Sequence, residues 1–243
     1  MRAILPRQPV LDGRFLFQAT AVEAVDGAEI LEMLSAVADI GARGGFTAGA
    51  IAPKFVVHRT NLDTHTLRAD LEMAAIDGRF LECLRSSLVA SGKTDAYIAL
   101  ELLAAANGNR YELPYPDEVD GRPVYPARRI KLQFVLTIDA TITSRMRRLV
   151  LTMGGPRSPT EIAAVEDWIT PWANALVNGA FVLPHIDPEI AANVFGGVQL
   201  FEEDSIEIVV DRFDSSEEAF DVLINMLDRF ASDHAAIRRV DLY

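Results

Sequence analysis

The residues best equipped for chemistry are four histidines, one cysteine and a dense run of acids near the C-terminus. His58 and His65 flank residues 61–63, a turn signal. The stretches 54–59 and 64–70 on either side predict a hairpin that sets the two imidazoles face to face, with Asp63 in the turn. Two imidazoles and a carboxylate are a ligand set for a metal with open positions. His185 and His234 stand at no ligand spacing, and H-x-x-x-H and H-E-x-x-H are both absent. The pair therefore reads first as the wet face of a hairpin, with no metal or cofactor expected. His58, His65 and Asp63 stay as the candidates of a rival reading.

The nucleophiles point the same way. Cys83 stands in Phe80-Leu81-Glu82-Cys83-Leu84, beside a helical apolar stripe, where cysteine acts as a small hydrophobe. No G-x-S-x-G elbow exists. Ser158 and Ser215 read as helix caps. Paired acids occur at Asp70/Glu72 and in 202–204, but acid–base work needs two such groups in different environments. The glycines of 41–49 follow a predicted helix instead of opening one, so an anion there would meet carbonyl oxygens and the negative end of the dipole. They read as a helix stop, and Gly179 holds the corresponding place later in the chain.

Charge is more informative. The 243 residues carry 35 acids and 23 bases, a formal charge of −12. Phosphate backbones and anionic membrane surfaces repel such a chain, so neither nucleic acid nor membrane is an expected partner. The charges are also segregated. Residues 122–157 hold eight bases and, between them, one acid, Asp139. Residues 202–233 reverse this, with Glu202, Glu203, Asp204, Glu217, Glu218, Asp221 and Asp228 among the acids. Two solvated faces that neutralise each other are one consequence. The sharper one is an acidic surface, on the last helix and the strand before it, that captures a basic protein. Trp168 is a candidate anchor for it, because tryptophan is enriched at interface hot spots.

These residues need a scaffold, and half of the chain is hydrophobic, enough for a packed core. One cysteine excludes an intramolecular disulfide. The first ten residues lack the apolar core of a signal peptide, and no apolar run reaches the ~20 residues of a spanning helix. The expected setting is cytoplasmic.

A faint duplication organises the elements. Residues 13–46 resemble 147–181 in pattern, and 67–102 resemble 206–243. Capping boxes open three helices, at Asp26/Glu29, Ser158/Glu161 and Ser215/Glu218, and Asp77 caps a fourth. Residues 130–139 and 145–153 alternate as strands joined by a turn near 140–144. The expected fold is α+β: two tandem ferredoxin-like (β-α-β-β-α-β) halves with antiparallel sheets covered by helices. The first half is 1–106, a proline- and tyrosine-rich connector is 107–128, and the second half is 129–243.

The function expected from these features is non-enzymatic. It is an acidic protein that masks a basic partner, of antidote or immunity type and bacterial; a homodimer is a further expectation. The alternative is a small-molecule-binding protein or enzyme with a pocket between the sheets, using His58 and His65. The two part on whether the wet faces of 54–59 and 64–70 point to a cavity or to solvent.

Overall fold

The computed structural model describes residues 2–3, 10–20, 27–47, 52–63, 66–90, 97–102, 110–112, 131–139, 141, 144–182, 193–234 and 236–243. Within them the chain is α+β, with two sheets and four helices. The first half runs β1 (Arg2–Ala3), β2 (Val10–Thr20), α1 (Gly27–Ala42), β3 (Lys54–Leu62), β4 (Thr66–Asp77), α2 (Arg79–Ala90), β5 (Tyr97–Leu102) and β6 (Arg110–Glu112). Its sheet has the order β1-β6-β5-β2-β4-β3. The second half runs β7 (Val135–Ile138), β8 (Arg147–Met153), α3 (Pro159–Val177), β9 (Val194–Glu202), β10 (Ser205–Arg212), α4 (Glu218–Asp233) and β11 (Ile237–Leu242). Its sheet has the order β7-β11-β8-β10-β9. Four strands of each sheet share one order, β5-β2-β4-β3 and β11-β8-β10-β9, antiparallel at every pairing.

The alternating strands bury one face. In β4, Leu67, Ala69, Leu71 and Met73 are buried, while Arg68, Asp70, Glu72 and Ala74 between them are more exposed. In β8 and β10 the inward residues are Leu149, Leu151, Met153, Ile206, Ile208 and Val210. These residues and the helices over them form one apolar cluster that spans both halves.

The halves join through their helices. The turn after α1 brings Gly45 against Val222 of α4, and a Cβ on Gly45 would lie 2.8 Å from Val222 Cγ1. The turn after α3 brings Gly179 against Ala90 of α2 in the corresponding way. Arg43 crosses the joint, donates to the carbonyl oxygens of Asp167 and Trp168, and lies over the Trp168 ring. Helix α4 is consequently enclosed, and every residue from 222 to 228 is buried.

Several local expectations change. The Ser158 capping box forms, with the Ser158 hydroxyl accepting from the Glu161 amide and the Glu161 carboxylate accepting from the Ser158 amide. Those bonds hold the Glu161 carboxyl below its usual range. The Ser215 box does not form. Ser215 Oγ donates to the Ala180 carbonyl, and α4 starts after Glu217 with no side-chain cap. The second-half hairpin is also corrected. Strand β7 pairs in parallel with β11, which lies between β7 and β8. Strand β11 thus takes the place beside β8 that the simple hairpin assigned to β7. Asp26 and the connector outside 110–112 lie beyond the described residues.

Candidate functional site

The hairpin proposed for the histidines exists, as β3 paired with β4. His58 is the extra residue of a bulge, since Val57 pairs with Leu71 and Arg59 with Asp70. Its Nε2 lies 2.9 Å from Glu72 Oε2, and Lys54 Nζ donates to Glu72 Oε1 at 2.6 Å. Both bonds hold the Glu72 carboxyl below its usual range, Lys54 first. The His58 and Glu72 side chains are about one-third exposed, at 34% and 32%. Asp63 closes the hairpin turn, its Oδ1 accepting from the Thr66 amide at 2.8 Å. His65 and His185 lie outside the described residues. Among the described residues no group of three or more His, Cys, Asp or Glu is placed to hold a metal. The face carrying His58 is charged and partly exposed.

Cys83 is buried in α2, and burial pushes its thiol well above the usual range, against thiolate chemistry.

The acids of the second half divide sharply. Asp228 has 0% exposure, and its Oδ1 accepts from the Gln133 amide at 2.7 Å. It is a structural acceptor for the segment before β7, which corrects its assignment to a partner surface. The physical reason is that this segment of the same half meets α4 at Asp228 and leaves it no exposure. Glu218 is also mostly withdrawn from water, so burial raises its carboxyl; Arg79 opposes this, and Glu82, Asp77 and Asp221 add to it. Asp221 is half-buried beside it. Glu217 is exposed but bonded to Arg147, at 2.6 Å. The same neutralisation recurs at Arg148–Glu207, Arg145–Asp214, Arg212–Asp214 and Arg229–Asp233. Much of the segregated charge thus cancels across the fold. Trp168 is partly buried, and its contacts are within the chain. Its indole N–H donates to the Met226 carbonyl at 2.9 Å, and its ring contacts Phe230 and His234.

Glu218 supplies a pH prediction. Its folded carboxyl is raised, so its stabilising contribution is full below the unfolded value of about 4.3 and is lost as pH rises through the folded one. Glu218→Gln should raise the melting temperature at pH 7, with the gain shrinking toward pH 4. Parallel melts across that range check it, and a lower melting temperature at pH 7 counts against this account of the joint.

Among the described residues of the second half, exposed acids without an ion pair include Glu166 and Asp167 on α3, Asp211 on β10, and the turn between β9 and β10, where two stand together at the end of an edge strand. Glu202 and Glu203 are exposed, and neither makes an ion pair among the described residues. Asp204, half-buried, accepts from Ser205 Oγ. The backbone of the turn is pinned, because Glu203 O accepts from the Arg157 amide at 2.7 Å and Asp204 O from the Met153 amide at 2.8 Å. Arg157 does not neutralise the turn, since its guanidinium donates to Gly155 O and Glu161.

Two residues beside the turn were not singled out by the sequence. Ser205 pairs with Glu202 and Ile206 with Leu200, which leaves Phe201 as the extra residue of a bulge. A bulge breaks the alternation of faces. Leu200 and Phe201 are accordingly 51% and 49% exposed. The readable signal was two consecutive apolar residues running straight into Glu202-Glu203-Asp204 at a strand end. The assembled feature is a rigid acidic turn with an apolar shoulder, at the edge of the second sheet.

No family model matches this chain, and no curated protein matches it. Among solved structures, a formylmethanofuran:tetrahydromethanopterin formyltransferase from Methanosarcina barkeri aligns over 99% of this chain and 92% of its own. It does so at 7% identity and a TM-score of 0.21, too slight a likeness to bear on fold or activity.

Proposed function

We propose that this protein is a non-enzymatic binder of a basic protein and that the β9–β10 turn is its contact. The observation that carries this reading is the coincidence of unpaired Glu202 and Glu203 with half-exposed Leu200 and Phe201 on a pinned turn. Apolar anchors beside desolvatable charge are the composition of an energetically dense contact, and a turn already held in place loses little entropy on binding. The net charge of −12 steers a basic partner toward the protein. An antidote-type protein that masks such a partner is the concrete form of this proposal. The repeated strand order supports reading the scaffold as two ferredoxin-like halves in tandem, with the connector as their boundary. The bond of His58 to Glu72 favours a structural role for it over the pocket enzyme.

Native mass spectrometry of the protein purified at low salt tests this. A basic polypeptide should remain bound, dissociate as salt rises, and be absent from the Glu202→Lys/Glu203→Lys variant. The expected loss of affinity is at least about tenfold, equal to ~1.4 kcal/mol. A complex that survives the double reversal unchanged removes the turn from the contact.

A further inference from the structure

We infer that the partner binds by adding a strand to β9, presenting an extended segment that carries lysine or arginine. This rests on the preceding reading of the acidic turn and adds the mode of recognition. Strand β9 ends the order of its sheet, so among the described strands one of its backbone edges is unpaired. It is nine residues long, whereas β7 at the opposite edge has four. Exposed edges are ordinarily defended by charge, proline, bulges or a covering element, because they template pairing with other chains. The sequence of β9, Val-Phe-Gly-Gly-Val-Gln-Leu-Phe-Glu, has no lysine, proline or inward charge, and its defence is two bulges. Its bulges at Gly196 and Phe201 limit the regular ladder to residues 197–200 without covering it.

Charge selects the occupant. The other nine-residue edge, β3, carries Lys54, His58 and Arg59 and no acid of its own to attract a basic chain. Strand β9 carries no base and ends in Glu202, with Glu203 next. An extended segment along 197–200 meets backbone donors and acceptors first, then Leu200 and Phe201, then two carboxylates. Strand addition works in this way, with main-chain bonds giving affinity and alternate side chains giving specificity. A second copy of this chain, paired antiparallel about 197–200, would set Phe195 and Val194 opposite Glu202 and Glu203, and so offers the acids no base.

The probe is a capped Lys-Val-Lys-Val-Lys-Val-Lys peptide, compared with the same peptide N-methylated at every backbone nitrogen. Both carry the same charge, and only the first can donate to a sheet edge. The unmodified peptide should bind at low salt at least about ten times more tightly and should slow amide exchange across 197–201. Equal binding of both peptides without slowed exchange, yet sensitive to Glu202→Lys/Glu203→Lys, overturns strand addition and leaves the acidic contact standing. Failure of the unmodified peptide to bind, or binding indifferent to the double reversal, overturns both. Concentration-dependent slowing at 197–201 in protein alone assigns the edge to a second copy and also overturns the inference.

Discussion

Gly179→Ala loosens the joint between the halves and lowers the stability of the whole chain by about 2–5 kcal/mol. Two independent effects add. Gly179 has φ +79°, a conformation that side chains with a Cβ rarely adopt. A Cβ there would also lie 2.1 Å from the Ala90 Cβ of α2, well inside contact distance. Since the apolar cluster is shared by both halves, neither helix can retreat without opening it. Chemical denaturation gives the size of the effect. Adding Ala90→Gly relieves the clash and leaves the backbone part, so the double variant should recover a portion of the loss. An unchanged midpoint for Gly179→Ala would show that the halves do not meet as described.

Arg79→Met is the second large effect, with an expected loss of about 3–5 kcal/mol at neutral pH. Arg79 and Asp77 are buried together, with side-chain exposures of 1% and 5%. Arg79 Nε donates to both Asp77 oxygens, at 2.9 and 3.1 Å, and Nη2 donates to Oδ2 at 2.7 Å. Nη2 also reaches the Gly45 carbonyl, which Asn225 of α4 shares. Removing the guanidinium strands a carboxylate in the interior. Burial already raises the Asp77 carboxyl against the pull of Arg79, and loss of that pull raises it further. A carboxyl raised in the folded state contributes stability that is full below its unfolded value and is lost as pH rises through the folded one. The variant should therefore regain part of its stability on acidification, as pH falls through its new folded value toward the unfolded one. Asp77→Asn/Arg79→Met removes the stranded charge and should be more stable than Arg79→Met alone at pH 7. A single variant that melts alike at pH 5 and pH 7 would contradict a charged, buried Asp77.

Much of the architecture was legible because local signals and tertiary packing agree. The stripes Ile30-Leu34-Val37 and Phe220-Leu223-Ile224-Leu227 fix helices, and alternation in β4 and β10 fixes strands. The hairpin around residues 61–63 was readable from turn chemistry. What failed was long-range. Strand β7 lies next to β8 in sequence, but β11 takes the place beside β8, and no local pattern encodes that. Asp228 looked like surface because acids in an amphipathic helix ordinarily face water. Only tertiary packing, here the segment before β7 whose Gln133 amide donates to Asp228, turns that residue inward. Ser215 shows the same limit, since its spacing to Glu218 fits a cap while its hydroxyl serves Ala180.

The candidate site was half legible. Glu202, Glu203 and Asp204 were marked by charge alone, together with Glu217, Glu218, Asp221 and Asp228. Ion pairing and burial then separate them. Arg147 takes Glu217, the Gln133 amide takes Asp228, and Glu202 and Glu203 stay open. Leu200 and Phe201 depend on a bulge, a register feature that one strand's sequence does not specify without its partner.

The central claim is that the β9–β10 turn captures a basic chain. Calorimetric titration with the capped Lys-Val peptide at low and high salt tests it most directly, on the wild type, Phe201→Ala and Glu202→Lys/Glu203→Lys. The account predicts salt-sensitive binding by the wild type, weaker binding by Phe201→Ala, and none detectable by the double reversal. Equal binding by all three would place the contact elsewhere on the molecule and contradict the proposed function.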